Sequence, residues 1–294
     1  MQTRCLDPSS YFCKGRPFLH LPDSFLKMPM RPDETDGSSS SLRERKSRAR
    51  LTRPCPANGI YAIGDVHGCL DLLKKLEEKI IADRKDPAED TLILYLGDLV
   101  DRGPDSKGVI DHCLSPLPPG FERMSLCGNH DQLFYEFLLN PSLASDWIAF
   151  GGQETLMSYG VDVASLLSRC SGEEGFRSLL GEAIPKSHFR YLQELPVALT
   201  TDQAHFVHAG MRPGVSMADQ IDDDLMWIRE EFLVAHPASD RLIVHGHTPA
   251  PTPQLGPDRI GIDTKAVGSG PLTAVHIYHG SHRFLSVSPC EYGP

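Results

Sequence analysis

Five short motifs place candidate metal ligands beside a glycine, each one directly after an apolar run of strand length. They are Gly64-Asp65-Val66-His67, Gly97-Asp98, Gly128-Asn129-His130, His208-Ala209-Gly210 and His245-Gly246-His247. Carboxylate, imidazole and amide ligands suit an open, catalytic site for manganese, iron or zinc better than a closed structural zinc site. One such motif alone is more typical of a turn or a hydrogen-bonded core histidine, but five in one chain predict a metal centre.

The set holds more ligands than one catalytic metal ion needs, and two ions that share a carboxylate fit it better. Two neighbouring ions can hold the attacking and leaving oxygens of a phosphoryl transfer and can deprotonate a water near neutral pH. Other hydrolase chemistries fit poorly, because the sequence has no GxSxG elbow and no Walker A loop. Cys170 and Arg177 miss the spacing of a cysteine phosphatase by one residue. The motifs therefore indicate metal-assisted phosphoester hydrolysis.

The elements that must position these motifs begin as alternating strands and helices. Apolar runs at 60–63, 91–96 and 123–127 predict three strands, each followed by a motif. Between the first two strands, the spacing of leucine and isoleucine over 72–80 predicts a helix. This order is typical of βαβ units in a largely parallel sheet, where functional groups gather at the carboxyl ends of the strands. We therefore expect the motifs to meet at one edge.

The later part of the chain is organised differently. Helical patterns dominate residues 132–196. Further strands are predicted after them, at 205–208, 242–245, 259–263, 272–278 and 283–287. We therefore predict one domain over residues 57–294, in which a helical insertion at about 132–196 separates two strand-rich halves.

The first 56 residues differ from the rest in composition and charge. They carry 11 Lys and Arg against 6 Asp and Glu and are rich in Ser and Pro, which predicts a disordered extension at 1–56. The whole chain of 294 residues has a net charge of −10, so the remainder is strongly acidic, which argues against nucleic-acid binding. No apolar stretch approaches the ~18 residues of a membrane span, and no secretory signal is evident. We therefore expect a cytoplasmic protein.

Taken in order, the extended motifs resemble those of the calcineurin-like metallophosphoesterases. The chain carries Gly64-Asp-Val-His-Gly68, Gly97-Asp-Leu-Val-Asp-Arg-Gly103, Gly128-Asn-His-Asp131, His208-Ala-Gly210 and His245-Gly-His-Thr248. More narrowly, the motifs are similar to those of the phosphoprotein phosphatase superfamily and its bacterial-type members, over residues 59 to about 287. The resemblance implies an α/β fold in which a β-sandwich is flanked by helices in four layers, αββα. It also implies two divalent metal ions as cofactors, with Mn²⁺ favoured and Fe or Zn as alternatives.

The resemblance further implies the roles of ten residues. The metal ligands would be Asp65, His67, Asp98, Asn129, His208 and His247. Asp98 would bridge both ions. Asp65 and His67 would complete the ligands of the first ion, and Asn129, His208 and His247 would complete those of the second. His130 would be the general acid that protonates the leaving oxygen, and Asp101 would orient it.

Two arginines and one further histidine complete the implied site. Arg102 and Arg229 would bind the substrate phosphate, where the planar guanidinium suits bidentate contact. His245 is an alternative metal ligand, because strand alternation would turn it to the same side as His247. The family pattern favours His247 and places His245 behind the ligands.

The implied reaction is in-line attack of metal-bound hydroxide on a protein phosphoserine or phosphothreonine. Asp101-Arg102-Gly103 resembles the protein phosphatase form, whereas symmetrical diadenosine tetraphosphatases usually carry Ala at position 101. Cys127 and Asp131 depart from the eukaryotic protein phosphatases, which have Arg and Glu there, and Lys265 stands where bacterial-type members commonly have Gly. Symmetrical hydrolysis of dinucleoside polyphosphates is therefore the alternative. Small phosphoesters and phosphotyrosine stay open as substrates, and an inactive metal-binding scaffold is a third hypothesis.

Overall fold

The computed structural model describes residues 47–84, 86–141, 147–163, 173–235, 239 and 241–289. The strands are β1 (Arg50–Thr52), β2 (Ile60–Ile63), β3 (Thr91–Tyr95), β4 (Phe121–Ser125), β5 (Ala198–Thr200), β6 (Ala204–Val207), β7 (Leu242–His245), β8 (Gln254–Leu255), β9 (Arg259–Gly261), β10 (Leu272–Tyr278) and β11 (Ser281–Val287). The helices are α1 (Leu70–Asp83), α2 (Ser106–Cys113), α3 (Asn129–Leu139), α4 (Gln153–Ser158), α5 (Glu173–Ala183), α6 (Lys186–Glu194), α7 (Asp222–Trp227) and α8 (Glu230–Val234). A π-helical turn at Ile148–Gly152 leads into α4.

The strands form two mixed sheets. The five-stranded sheet has the order β11-β10-β2-β3-β4, and the six-stranded sheet has the order β1-β5-β6-β7-β9-β8. In the first, β2, β3 and β4 run parallel, and the hairpin of β10 and β11 joins antiparallel to β2. In the second, β6, β7 and β9 run parallel. Each sheet therefore presents the carboxyl ends of three parallel strands.

The core lies in the three spaces between four layers. Strand alternation turns Ile60 and Leu92 of the five-stranded sheet into one apolar cluster with Phe206 and Val244 of the six-stranded sheet. The next residues along each strand point the other way, and Tyr61 packs outward with the buried face of α1. β2 and β3 are buried at every position, which explains why they read as continuous apolar runs. The predicted αββα arrangement is confirmed.

The strand predictions hold closely, and the three strands of the predicted βαβ units, β2, β3 and β4, run parallel. The bounds of β2, β7 and β10 are as predicted, and the other predicted strands shift by one or two residues. The short strands β1, β5 and β8 were not predicted, because two or three residues carry no periodic signal. The antiparallel hairpin and these edge strands make both sheets mixed.

Residues 47–56 depart from the predicted extension at 1–56, of which residues 1–46 lie outside the described residues. β1 pairs in parallel with β5, with Arg50 opposite Ala198. Arg50 forms an ion pair with Asp222 of 2.8 Å, and Arg48 donates to the backbone oxygens of Leu192 and Leu195. The charge pattern indicated a solvated segment, but these cations meet a carboxylate and the carbonyl end of α6.

The described part of residues 132–196 is helical and lies beside the first three motifs. Trp147 stacks on Phe134 and Phe137, so the turn before α4 packs against α3. The amide of Arg102 donates to the carbonyl of Gly151 at 3.0 Å, which ties this turn to the second motif. Within the described ranges, none of the helices has both the length and the apolar character of a membrane-spanning segment.

Candidate active site

The motifs meet where the carboxyl ends of the two sheets face each other. The carbonyl of Asp98 accepts from the amides of Val66 and His67, at 3.1 and 2.8 Å, so the loops after β2 and β3 are joined. The carbonyl of His208 accepts from the amide of Gly246 at 2.8 Å, which joins the loops after β6 and β7. His208 Nδ1 donates to the carbonyl of Leu96 at 2.9 Å and links the two sheets. One site is thus built from both sheets.

Backbone strain is concentrated in this site. Non-glycine residues with φ between 43° and 73° include His67, Asp98, Asp101, Arg102 and His247. Each left-handed conformation costs of order 1–3 kcal/mol, and such strain is typical of functional sites. The motif glycines have a different role, because a Cβ on Gly246 would lie 2.1 Å from Asp65 Oδ1 and one on Gly128 would lie 2.2 Å from Asp98 Oδ1. These glycines let the carboxylates approach the backbone.

The first ligand group contains His67, Asp98 and His130, whose ligand atoms lie within 4.8 Å of one another. His67 Nδ1 is 2.8 Å from the carbonyl of Val100, which fixes the tautomer and leaves Nε2 with a lone pair directed into the site. Burial, with the nearby charges of His130 and Arg102, lowers the pKa of His67 to about 3. This imidazole is therefore neutral and suited to hold a metal ion.

The second ligand group contains Asp98, His208 and His247. His208 Nε2 lies 3.0 Å from Asn129 Oδ1 and 3.2 Å from His247 Nδ1, so the predicted second set converges on one point. Burial lowers the pKa of His208, but the Asp98 carboxylate outweighs burial and raises it to about 9. The site therefore attracts positive charge at the position predicted for the second metal ion.

Asp65, the first predicted ligand, stands outside both groups. Its carboxylate accepts from the amide of His247, at 3.0 and 3.2 Å. Its role as a metal ligand stays a prediction. Asp98 belongs to both groups, as a bridging carboxylate requires, and all six predicted ligands are buried.

Five buried carboxyl groups lie in or beside the ligand groups, at Asp65, Asp98, Asp101, Asp131 and Asp263. Burial and then the charge of Asp263 raise the pKa of Asp65 well above its usual range, and burial with Asp98 raises that of Asp131 to about 7. Burial also raises the pKa of Asp263, with Asp98 adding to the effect. Bound cations relieve this kind of repulsion. The donor set and its charge therefore fit a pair of divalent metal ions.

Asp101 and His130 form a buried, hydrogen-bonded pair. His130 Nδ1 lies 2.7 Å from Asp101 Oδ2, and both side chains are at most 2% exposed. Burial raises the pKa of Asp101, although its hydrogen bonds to His130, Thr155 and Trp147 act in the opposite direction. The pair has the geometry that was predicted for a general acid and the carboxylate that orients it.

The two predicted phosphate-binding arginines are exposed at the site. Arg102 donates through Nη1 to His67 Nε2 at 2.8 Å and through Nη2 to His130 Nε2 at 2.7 Å. Arg229 lies between α7 and α8, close enough that its charge contributes to the lowered pKa of His247. Arg102 therefore lies where it could contact an anion beside the ligand groups, and the phosphate-binding role of Arg229 stays a prediction.

His245 does not face the site. Its ring meets Phe232 edge-on at 5.0 Å, and its Nδ1 lies 3.0 Å from the carbonyl of Gly246. The alternation argument for His245 fails, because β7 ends at His245 and the left-handed φ of 63° at His247 turns the chain. His247, which the family pattern favours, lies in the second ligand group with Asp98 and His208.

Sequence reasoning missed three side chains of the site. Asp263 follows β9 at the same sheet edge, so its position after a predicted strand could have identified it. Trp147 and Thr155 donate to Asp101 at 2.9 and 2.7 Å. They lie in the helical insertion, and no motif marks them.

Comparisons with curated proteins point to nucleotide and protein phosphatases. The asymmetrical bis(5′-nucleosyl)-tetraphosphatase PrpE of Halalkalibacterium halodurans is 26% identical over 236 residues, which cover 72% of this chain and 87% of that protein. Serine/threonine-protein phosphatase 1 of Salmonella typhimurium is 36% identical over 93 residues, which cover 32% of this chain and 38% of that protein.

Solved structures agree on the fold. A protein assigned as a diadenosine tetraphosphatase superposes with a TM-score of 0.58 at 22% identity, and the match covers 82% of this chain and 98% of that protein. The sequence profile described as calcineurin-like phosphoesterase matches residues 59–267, which is most of the chain and includes all five motifs. This chain therefore belongs to the calcineurin-like phosphoesterase family.

Proposed function

We propose that this metallophosphoesterase is a protein phosphatase that hydrolyses phosphoserine and phosphothreonine. The observation that carries the proposal is the buried pair of Asp101 and His130, with its 2.7 Å hydrogen bond. Serine and threonine leave as alkoxides, which are poor leaving groups, so their departure depends on a proton delivered in the transition state. A phosphoanhydride has a much better leaving group and depends less on such an acid. The pair therefore favours alkyl phosphate monoesters.

Calcineurin-like phosphoesterases use a pair of divalent metal ions. In this chain Asp65, His67 and Asp98 would hold one ion, and Asp98, Asn129, His208 and His247 would hold the other. When bound, the ions supply a nucleophile from water and neutralise charge on the phosphate. His130 lies in the same group as His67 and Asp98, so it would stand beside the first ion.

The remaining work falls to residues of the chain itself. Arg102 and Arg229 bind the phosphate oxygens and neutralise the charge that develops on them. His130 donates a proton from Nε2 to the leaving oxygen while its Nδ1–H stays bonded to Asp101. A proton held at Nε2 and the observed contact from Arg102 Nη2 exclude each other, so Arg102 turns to the phosphate as His130 becomes the acid.

Hydrolysis of dinucleoside polyphosphates is the second candidate. The relative from Halalkalibacterium halodurans is named for this activity, and the match covers 87% of its length. The relative's name specifies asymmetrical cleavage, whereas the sequence pattern suggested the symmetrical type. Two aromatic side chains also flank the ligand groups. Phe150, 51% exposed, lies 6.5 Å from the ring of His130, and Trp227 lies 6.3 Å from the ring of His247. Such rings can stack on nucleobases.

The test is phosphate release by the purified, Mn²⁺-loaded protein from matched substrates. Phosphoserine, phosphothreonine and phosphotyrosine peptides would be compared with diadenosine tetraphosphate, with Asp98→Asn as the inactive control. Preference for the phosphoserine and phosphothreonine peptides supports the proposal. Preference for the dinucleotide replaces it with the second candidate, and the products, two ADP or ATP with AMP, distinguish symmetrical from asymmetrical cleavage. Bound metal without turnover of any substrate would support the inactive scaffold.

A further inference from the structure

The turn before α4 and α4 itself surround the carboxylate of Asp101. Trp147 Nε1 donates to Oδ2 at 2.9 Å, and Thr155 Oγ1 donates to Oδ1 at 2.7 Å. The amide of Asp101 donates back to Thr155 Oγ1 at 2.9 Å, so the hydroxyl is bonded to both the backbone and the side chain of one residue. Trp147 and Thr155 are at most 1% exposed. The contacts are therefore dry and directional.

These contacts leave the carboxylate one orientation. Oδ2 is shared by the Trp147 indole and the His130 imidazole, and Oδ1 is taken by Thr155. A partial rotation of the carboxylate about its terminal bond would lengthen or break at least one of these bonds. The orientation of Asp101 in turn sets the plane of the His130 ring and the direction of its Nε2, because Nδ1 is bonded to Oδ2.

We propose that Trp147 and Thr155 are positioning residues for the general acid, which act through Asp101 to aim His130 Nε2 at the leaving oxygen. The inference rests on the proposed function, since it concerns the same proton donation. The inference gives the helical insertion a role in catalysis, because the insertion donates one indole N–H and one hydroxyl to the carboxylate of Asp101. A general acid must lie within hydrogen-bond reach of the leaving atom, so a small rotation of the ring is enough to impair it.

Each of the two contacts can be removed by a single substitution. The Trp147 ring lies 5.1 Å from the ring of Phe134 and 4.5 Å from that of Phe137. Trp147→Phe deletes the indole N–H and keeps an aromatic ring at this position. Thr155→Val has nearly the same shape and lacks the hydroxyl. Thr155→Ser keeps the hydroxyl and is the conservative rescue. Thermal unfolding of each variant would confirm that it folds.

The kinetic test compares a poor with a good leaving group on the Mn²⁺-loaded protein. A phosphoserine peptide needs the proton, whereas 4-nitrophenyl phosphate releases a stable phenolate. Loss of a general acid lowers the rate by about 10²–10⁴-fold. A variant in which Nε2 of His130 no longer points at the leaving oxygen should show part of this loss. We expect Trp147→Phe and Thr155→Val to lower kcat for the peptide by about tenfold or more, with little change in KM. For 4-nitrophenyl phosphate the loss should stay within about threefold, and Thr155→Ser should resemble the wild type.

A second measurement does not depend on turnover. The proton on His130 Nδ1, bonded to a carboxylate, should give a downfield NMR signal in the metal-free chain, assigned through its absence in His130→Asn. We expect this signal to shift or broaden in Thr155→Val and Trp147→Phe and to persist in Thr155→Ser. Mn²⁺ binding, followed by calorimetry, should be unchanged in all three variants.

Equal losses on both substrates, or no loss on either, would overturn the inference and leave Trp147 and Thr155 as packing residues. An unchanged NMR signal would overturn it as well. If the wild type does not accept the phosphoserine peptide, the proposed protein substrate fails, and glycerol 2-phosphate replaces the peptide as the poor leaving group. The contrast with 4-nitrophenyl phosphate then still tests the positioning.

Discussion

The two halves of the site differ in how completely the ring nitrogens of their histidines are hydrogen-bonded. On the side of the five-stranded sheet, His67 and His130 each have both ring nitrogens bonded, to Val100 or Asp101 through Nδ1 and to Arg102 through Nε2. On the side of the six-stranded sheet, the facing nitrogens of His208 and His247 lie 3.2 Å apart, and His247 Nε2 is buried with no hydrogen-bond partner among the described residues. In the first half, protein contacts hold the proposed acid, His130, and the proposed phosphate-binding residue Arg102 in place. The second half consists mainly of the proposed metal ligands, and we expect a bound cation to order His247.

The largest effect is expected where the halves join, at Asp98, which belongs to both ligand groups. Asp98→Asn removes the charge that both ions would share, so we expect it to retain neither ion. Because metal ions supply several kcal/mol of transition-state stabilisation, hydrolysis of 4-nitrophenyl phosphate should fall by about 10³-fold or more. Calorimetric titration with Mn²⁺ gives the stoichiometry.

Asp105→Asn is the matched control. Asp105 accepts from the amide of Gly108 at 2.8 Å and caps α2, a role that Asn can also fill. This variant should bind two ions and keep its activity. A stoichiometry of two in Asp98→Asn would contradict the shared carboxylate.

A smaller effect should separate the two histidines of the fifth motif. His247→Asn weakens the second ligand group only, so we expect one Mn²⁺ ion to be lost and kcat to fall by about 10²-fold. His245→Asn should retain two ions and near-normal kcat, while its lost contacts with Phe232 and the carbonyl of Gly246 lower the free energy of unfolding by about 1–3 kcal/mol. Loss of a metal ion from His245→Asn would show that His245 orders the ligands.

The next prediction concerns stability on the five-stranded side alone. Burial would raise the pKa of Glu77, but hydrogen bonds from His112, Arg123 and Tyr95 outweigh burial and lower it to about 2. The folded pKa lies below the ordinary value of 4.5, so this stabilisation is fully present above about pH 4.5 and is lost as the pH falls towards 2. A shift of this size corresponds to about 3 kcal/mol at pH 7.

Urea unfolding of the wild type and Glu77→Gln, with a chelator present, measures this contribution. The difference between the two proteins should be largest at pH 7 and should narrow at pH 3. Glu78→Gln, at the exposed neighbouring position, should match the wild type at both values. A difference that does not change with pH would assign the stabilisation to packing.

The smallest effect is expected at the surface ion pair between Arg53 and Glu122, which links the segment after β1 to β4 of the other sheet. Its side chains are 33% and 51% exposed, and such pairs contribute about 0–1 kcal/mol. Arg53→Ala should therefore change the urea midpoint little, whereas Arg50→Ala should cost more, since Arg50 also donates to the backbone carbonyl of Gln220. Equal shifts of the urea midpoint in Arg53→Ala and Arg50→Ala would mean that the exposure of an ion pair does not determine its contribution to stability here.

The sequence was informative where one strand and one motif are contiguous. Apolar runs followed by Gly-Asp or His-Gly located Asp98 and His247, because the end of a buried strand and its turn are local features. The orientation of His245 could not be predicted, since it depends on the left-handed backbone at His247. A positive φ at a histidine has no sequence signal comparable to that of glycine.

The contacts of the helical insertion lay beyond the reach of sequence patterns. Trp147 and Thr155 are 46 and 54 residues from Asp101, and their hydrogen bonds depend on how the turn before α4 packs on α3. The order of residues 47–56 was missed for a related reason. Arg48 and Arg50 look like solvated cations until Asp222 and the end of α6 are brought beside them.

The N-terminal strand β1 has a practical consequence for the boundaries of the domain. It occupies the outer edge of the six-stranded sheet and pairs with β5 over three residues, and Arg48 reaches from it to Gln132 of α3. A shortened protein that begins at residue 57 would leave β5 as the edge, with backbone groups free to pair with another chain. We therefore expect such a protein to aggregate more readily than one that keeps residues 47–56, as light scattering of the two proteins would show.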